Sequence, residues 1–435
     1  MKLRLLLPLF VVCASTAPTA RAPRFERVHA LDPAEGVFAY ARISPDGRYL
    51  AYASEMRAPR RRDPQRTVTV IDLRTRKLLF TEPGIDAYFS TDGERMIYLS
   101  FEGSGSVTIR HHRTGAITRD VAPVALGDYF SWGLRDGRNL ILTIDGRYYF
   151  LDGDRGALPA GTVQPCPGIG TGERPLLSRD GRRITTFVRG TVVVRNLIDC
   201  EGILDTGIGG AKADFSWDGR YIAFHVQKSN GAGYEIQVVD TEKRTVRTVT
   251  NLSGSSYFPS WTKDGRLSFR YDGEDYRGFM MASDVLSARE RPLPENPPQL
   301  PARRKWSHLF PETPAPTNSV SLVMVWSTWS AHSPGALLDL QRARAALGRQ
   351  SIDVGIMTAT DPGSLEPDIA RLLGTYGVGL PRIPLGAARL ALTEAHNQIP
   401  TTLLFRNGEL IDRRLGAQTT AQLEQWVSEA GYTRR

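Results

Sequence analysis

Six times in the first two thirds of this chain a short polar phrase built on Asp-Gly recurs, each time followed by a β-type run. It reads Ser44-Pro45-Asp46-Gly47-Arg48, Ser90-Thr91-Asp92-Gly93, Arg135-Asp136-Gly137-Arg138, Ser178-Arg179-Asp180-Gly181-Arg182, Ser216-Trp217-Asp218-Gly219-Arg220 and Thr262-Lys263-Asp264-Gly265-Arg266. The aspartates stand 38 to 46 residues apart, a period that marks a propeller blade. Asp-Gly makes a tight turn because Gly supplies positive φ and Asp caps it. The runs that follow, such as Tyr49-Leu50-Ala51-Tyr52 and Tyr221-Ile222-Ala223-Phe224, are short and β-prone. A third strand (Val68 to Asp72, Ile236 to Asp240) and a more polar fourth one (Thr245 to Val249) complete a unit. Four strands in each of six units predict an all-β six-bladed propeller over residues 23–291.

From 292 to 317 the composition turns to proline, at 292, 294, 297, 298, 301, 311, 314 and 316, which predicts a semi-rigid linker. Such a linker lets the parts on either side fold alone. Trp306, Leu309 and Phe310 within it are the residues that could instead dock it. From 318 to 435 the pattern alternates as in an α/β domain. Val320 to Trp326 is apolar but for Ser321, as in a buried strand. A helix face follows at Leu337, Leu340 and Leu347, then a strand at Ile352 to Met357 and a helix at Pro367 to Tyr376. Leu403-Leu404-Phe405 and Leu410-Ile411 flank an Asn407-Gly408 hairpin turn. Thr419 and Gln422 are spaced to cap a last helix.

Two resemblances follow from these motifs. The Ser-Pro-Asp-Gly-Arg phrase with its β-run resembles the repeat of TolB-type propellers, also found in the prolyl-oligopeptidase family. Such propellers serve as scaffolds, lids and binding platforms. The peptidase option requires an α/β-hydrolase domain with a Gly-x-Ser-x-Gly elbow, which the rest of the chain is too short to hold and does not contain. Residues 319–431 resemble a thioredoxin-like domain of the TlpA type, through Trp326-Ser327-Thr328-Trp329, Tyr376-Gly377-Val378 and Ile399-Pro400-Thr401-Thr402. The resemblance makes Pro400 the cis-proline facing the redox motif. Where the family carries Trp-Cys-x-x-Cys this chain has Trp329-Ser330-Ala331-His332-Ser333. Dithiol exchange needs a thiolate, so the family's redox activity does not carry over to Ser330 and Ser333.

A Ser330–His332 hydrolytic pair is excluded by spacing: i and i+2 side chains diverge at a helix start, and no acid lies nearby to orient the histidine. The plainer role is helix capping by Ser330 or Ser333, with Pro334 in the first turn. A second role keeps Trp329, Ser330, His332, Ser333, Ile399 and Pro400 as a peptide-binding face, because a cis-proline edge can pair with an extended chain.

The formal charge of +9 does not indicate a nucleic-acid binder: the basic residues are scattered and mostly Arg. Their densest run, Arg57 to Arg66, lies between predicted strands as a solvated loop. Lys2 and Arg4, the apolar Leu5 to Val12 and Ala20-Arg21-Ala22 read as a signal peptide over 1–22. The apolar run is too short to span a bilayer. Val12 before Cys13 departs from a lipobox, so no lipid anchor is expected at Cys13. Export leaves Cys166 and Cys200, which in an oxidising compartment are expected to pair. No metal site or cofactor is indicated: His111 and His112 are adjacent on a predicted strand and point to opposite faces.

The expectation is a periplasmic or secreted, non-catalytic scaffold that binds a protein or peptide partner within an envelope assembly. One alternative is an accessory to thiol-disulfide or metallocentre maturation that holds clients without turnover. Another is a propeller enzyme acting on a small molecule in the central channel.

Overall fold

The computed structural model describes residues 22–31, 41–56, 65–90, 93, 95–100, 107–111, 117–119, 130–135, 138–143, 147–152, 156–162, 176–188, 191–231, 233–295, 304–328, 330, 333–385 and 399–430. In it the repeated phrase is a hydrogen-bonded device. The Ser44 hydroxyl donates to Asp46 Oδ1 at 2.6 Å and accepts from Tyr49 N at 2.8 Å, while Arg48 N donates to Asp46 at 3.0 Å. Gly47 closes the turn onto Ser44 O with φ of 74°, a conformation glycine adopts without steric cost. The same bonds recur in the phrase at Ser216, Asp218 and Tyr221 and in the one at Ser178, Asp180 and Arg183.

Each device starts a strand that alternates into the sheet core, and Leu50, Ile184, Ile222 and Leu267 are fully buried. Four repeats form separate antiparallel sheets. One is Phe130–Arg135, Arg138–Thr143, Arg147–Asp152 and Gly156–Thr162; the next is Leu176–Leu177, Arg183–Val188, Thr191–Asn196 and Gly202–Asp205. The third is Ala211–Phe215, Tyr221–Gln227, Tyr234–Asp240 and Thr245–Thr248, to which Glu290–Pro292 adds a fifth strand. The fourth is Ser255–Trp261, Leu267–Asp272 and Arg277–Ser283, completed by the N-terminal strand Arg24–Ala30. The first strands of successive sheets neighbour one another and the last neighbours the first, giving a propeller-like arrangement.

The expected six separate blades are corrected to four. The first two repeats share one seven-stranded sheet, because Lys77–Phe89 runs on as a single 13-residue strand. Its first half pairs with Gln65–Asp72 and its second half with Arg95–Ser100.

The remaining elements form a mixed α/β sheet in the order Arg382–Ile383, Val354–Thr360, Val320–Trp326, Thr401–Arg406, Glu409–Leu415. The first three strands run parallel, and Thr401–Arg406 is antiparallel to Val320–Trp326. Helices Ser333–Arg349, Glu366–Tyr376 and Thr420–Glu429 accompany it, the last opened by the Thr419–Gln422 capping box. Part of the stretch expected to be a linker is docked. Trp306, Leu309 and Phe310 are buried, and the Trp306 ring lies 5.0 Å from that of Phe405. Backbone bonds Trp306 N to Gly408 O and Leu410 N to Arg304 O fix this stretch to the hairpin. Among the described residues no helix is long and apolar enough to cross a membrane.

Two repeats carry a matching ion pair, Arg48–Asp72 and Arg220–Asp240, at 2.7 and 2.8 Å. The Arg48 hydrogen bond holds the Asp72 carboxyl below its usual range. At Asp240 burial would raise the value, but the bonds from Arg220, Lys243 N and Glu242 N outweigh it and the value falls. Depressed carboxyls stabilise the fold above the unfolded value of about 4 and lose that contribution as pH falls through the folded one. The thermal midpoint should therefore drop as pH falls below about 4, and Asp72→Asn should flatten that slope in a pH series of melting curves. Ser216→Ala leaves the Tyr221 amide without its acceptor and should cost about 1–3 kcal/mol by urea denaturation.

Candidate functional site

One end of the α/β sheet gathers the residues singled out in the sequence. Val320–Trp326 ends at Ser327, and the chain returns into the helix Ser333–Arg349. The Ser330 hydroxyl donates to Ile399 O at 2.7 Å, and Ser333 Oγ accepts from Ser327 N at 3.2 Å. The Ile399–Pro400 peptide is cis. Ser330, Ser333, Ile399 and Pro400 are thus brought together, and all four are buried. Trp329 and His332 lie outside the described residues. The Ser330 hydroxyl ties the cis-proline loop, and the Ser333 hydroxyl ties the end of the preceding strand. Both serines act as pins between neighbouring loops.

A third loop joins this end, from Asp361 to Ser364. Asp361 N donates to Trp326 O at 2.7 Å and Thr328 N donates to Ser364 Oγ at 3.0 Å. That loop meets an aromatic group supplied by the propeller-like part. Tyr234 Oη donates to Asp361 Oδ1 at 2.8 Å, and Tyr257 Oη donates to Gly363 O at 2.8 Å. Tyr234, Tyr257 and Phe258 belong to the same buried apolar cluster as Trp326, Leu337 and Ile399. His225 stands beneath them, with its ring 5.2 Å from Tyr234 and 5.6 Å from Tyr257.

Local backbone explains how the sheet presents these rings. The pairing of Ser255–Trp261 with Leu267–Asp272 breaks register between Tyr257 and Ser260, a bulge that re-aims side chains. Phe258 sits there at φ of 52°, a left-handed conformation that costs a non-glycine residue of the order of 1 kcal/mol. Electrostatics keep the group uncharged. Burial, aided by Lys212, lowers His225 to about 3, so the imidazole is neutral at physiological pH. Burial and the Asp361 charge raise Tyr257 well above its ordinary value, so its phenol stays a donor. Beside this group, Arg277 reaches Asp368 with two hydrogen bonds of 3.0 and 2.5 Å.

Sequence reasoning did not find Tyr234, Tyr257, Phe258, Asp361 or Gly363. None belongs to the repeated phrase, and their pairing across more than a hundred positions leaves no local pattern. No disulfide forms among the described residues. Cys200 is half-buried at φ of 60°, its carbonyl accepting from Arg195 Nη1, and Cys166 lies outside the described residues.

The described residues thus define a mostly β chain with sheets in a propeller-like arrangement, followed by a smaller α/β part. No protein-family model and no curated protein sequence matches it. Among solved structures it is similar to TolB from Acinetobacter baumannii, at 19% identity over 57% of this chain and 66% of that one, with a TM-score of 0.39. The chain therefore spans just under two thirds of that TolB. It is also similar to a Bacteroides thetaiotaomicron protein of unknown function, at 13% identity over 60% and 76% of the two chains and a TM-score of 0.42. A thioredoxin-family thiol:disulfide interchange protein from Chlorobium tepidum is 14% identical over 26% of this chain and 79% of its own, with a TM-score of 0.23.

Ser330→Ala removes the only side-chain bond by which the described loop at 330 holds Ile399 O. It should cost about 1 kcal/mol, or up to about 3 if that carbonyl stays dry and unpaired, measured as a shift in the urea midpoint.

Proposed function

We propose that this chain is a non-catalytic, protein-binding scaffold of the cell envelope, made of a TolB-like propeller and a thioredoxin-like domain that has lost its dithiol. The observation that carries the reading is the placement of two buried serine hydroxyls, Ser330 and Ser333, beside the cis Ile399–Pro400 bond. A hydroxyl there neither ionises near neutral pH nor joins a disulfide, so thiol exchange has no nucleophile. The mixed sheet order and the helix directly after its central strand support the thioredoxin-like assignment. The assigned division is a signal peptide over 1–22, a propeller over 23–291, a linker over 292–317 and the thioredoxin-like domain over 318–435.

Export to the periplasm or beyond is supported by the charged and apolar N-terminus, which ends close to the first propeller strand at Arg24. In that compartment Cys166 and Cys200 are assigned as partners. Mass spectrometry of non-reduced protein decides it: two alkylated thiols would remove the pairing. The intact protein should show no insulin reduction above the buffer rate with dithiothreitol, and measurable turnover would sink the redox-inactive reading. Tagged protein purified from envelope fractions should retain a protein partner whose binding is reproduced with both components pure.

A further inference from the structure

In a dithiol domain the end of the sheet that holds the redox motif must face its substrate. Here the corresponding end, where Ser330, Ser333, Ile399 and Pro400 are buried, is joined through the loop Asp361 to Ser364 to the chain's own propeller-like part. We propose that this end has become an intramolecular docking site, with Tyr234 and Tyr257 of the propeller as its occupant, so that outside partners are taken by other surfaces. The proposal rests on the thioredoxin-like reading and names the partner of that site.

Three independent features point the same way. The first is fit. A Cβ at Gly363 would lie 2.7 Å from Tyr234 Cε2 and 2.8 Å from Tyr257 Oη, so the loop touches both rings with no room for a side chain. The second is polar satisfaction. Asp361 is 1% exposed, and its carboxylate accepts from the Tyr234 phenol and from Gly363 N. A buried carboxylate is tolerated only with such donors. The third is preorganisation. The bulge and the left-handed Phe258 hold the aromatic group in a conformation that an isolated strand would not choose. Undocking would expose Tyr234, Tyr257 and Phe258, each no more than 2% exposed in the docked form, a contiguous apolar patch of the kind soluble proteins rarely leave open. The paired bonds of Arg277 to Asp368 set the orientation at a second point.

The test uses the full chain carrying a specific protease site between 296 and 303, cut after folding and followed by size-exclusion chromatography across a dilution series. The two pieces should co-elute at micromolar concentration. Tyr234→Phe, which keeps the ring and removes only the phenol bond to a carboxylate, should weaken their association about ten- to hundred-fold. Gly363→Val should separate them, with the circular dichroism of the mixture unchanged. Pieces that part in the unsubstituted chain while keeping their secondary structure would overturn the proposal. So would an affinity unaltered by both substitutions. Insulin turnover by the intact chain bears only on the redox-inactive reading, so the two can fail separately.

Discussion

A single four-stranded sheet of this kind cannot bury both of its faces, and every part of the larger half depends on the sheets enclosing one another. The strand Arg24–Ala30 meets that constraint by pairing with Arg277–Ser283, which joins the start of the chain to its last repeat. Phe279 then packs against Tyr52 of the first repeat, with their rings 5.2 Å apart, and the apolar cluster there includes residues from both ends. The recurrent turn device works at a shorter range. It fixes where each strand begins, so the register that places Leu50, Ile222 or Leu267 inward follows from one serine or threonine and one aspartate.

Strain at Phe258 and docking of the α/β part are two sides of one balance. A left-handed aromatic residue is unfavourable alone, and the rings it helps to present would be unfavourable in water. Contact with the Asp361 to Ser364 loop offsets both costs, since it buries the rings and supplies acceptors for two phenols. The docked linker adds to the same rigidity. Trp306 and Phe310 pack beside Phe405, so a stretch that composition marks as a spacer is partly built into the smaller sheet.

The repeats were legible because their spacing and turn chemistry are local, and the hairpin at Asn407-Gly408 and the Thr419–Gln422 cap were legible for the same reason. The sharing of one strand by the first two repeats was not, since nothing in Pro83-Gly84 announces that pairing will pass from one neighbour to the other without a break. At the candidate site the sequence grouped Ser330, Ser333, Ile399 and Pro400 as one face, with helix capping as a plainer role for the serines. The acceptor and donor their hydroxyls meet, Ile399 O and Ser327 N, are backbone groups whose positions only the fold decides. The aromatic group opposite was invisible, because Tyr234, Tyr257 and Phe258 read as ordinary strand residues until a bulge turns them outward.

The pairing of Arg24–Ala30 with Arg277–Ser283 also sets an order of events. The closing strand leaves the ribosome first, yet its partner follows about 250 residues later. During that interval its edge has no neighbour, and contacts so distant in sequence make for slow folding and an open invitation to wrong pairing. A chain built this way gains its enclosed form late, because the ring of sheets can close only once the last repeat has been made.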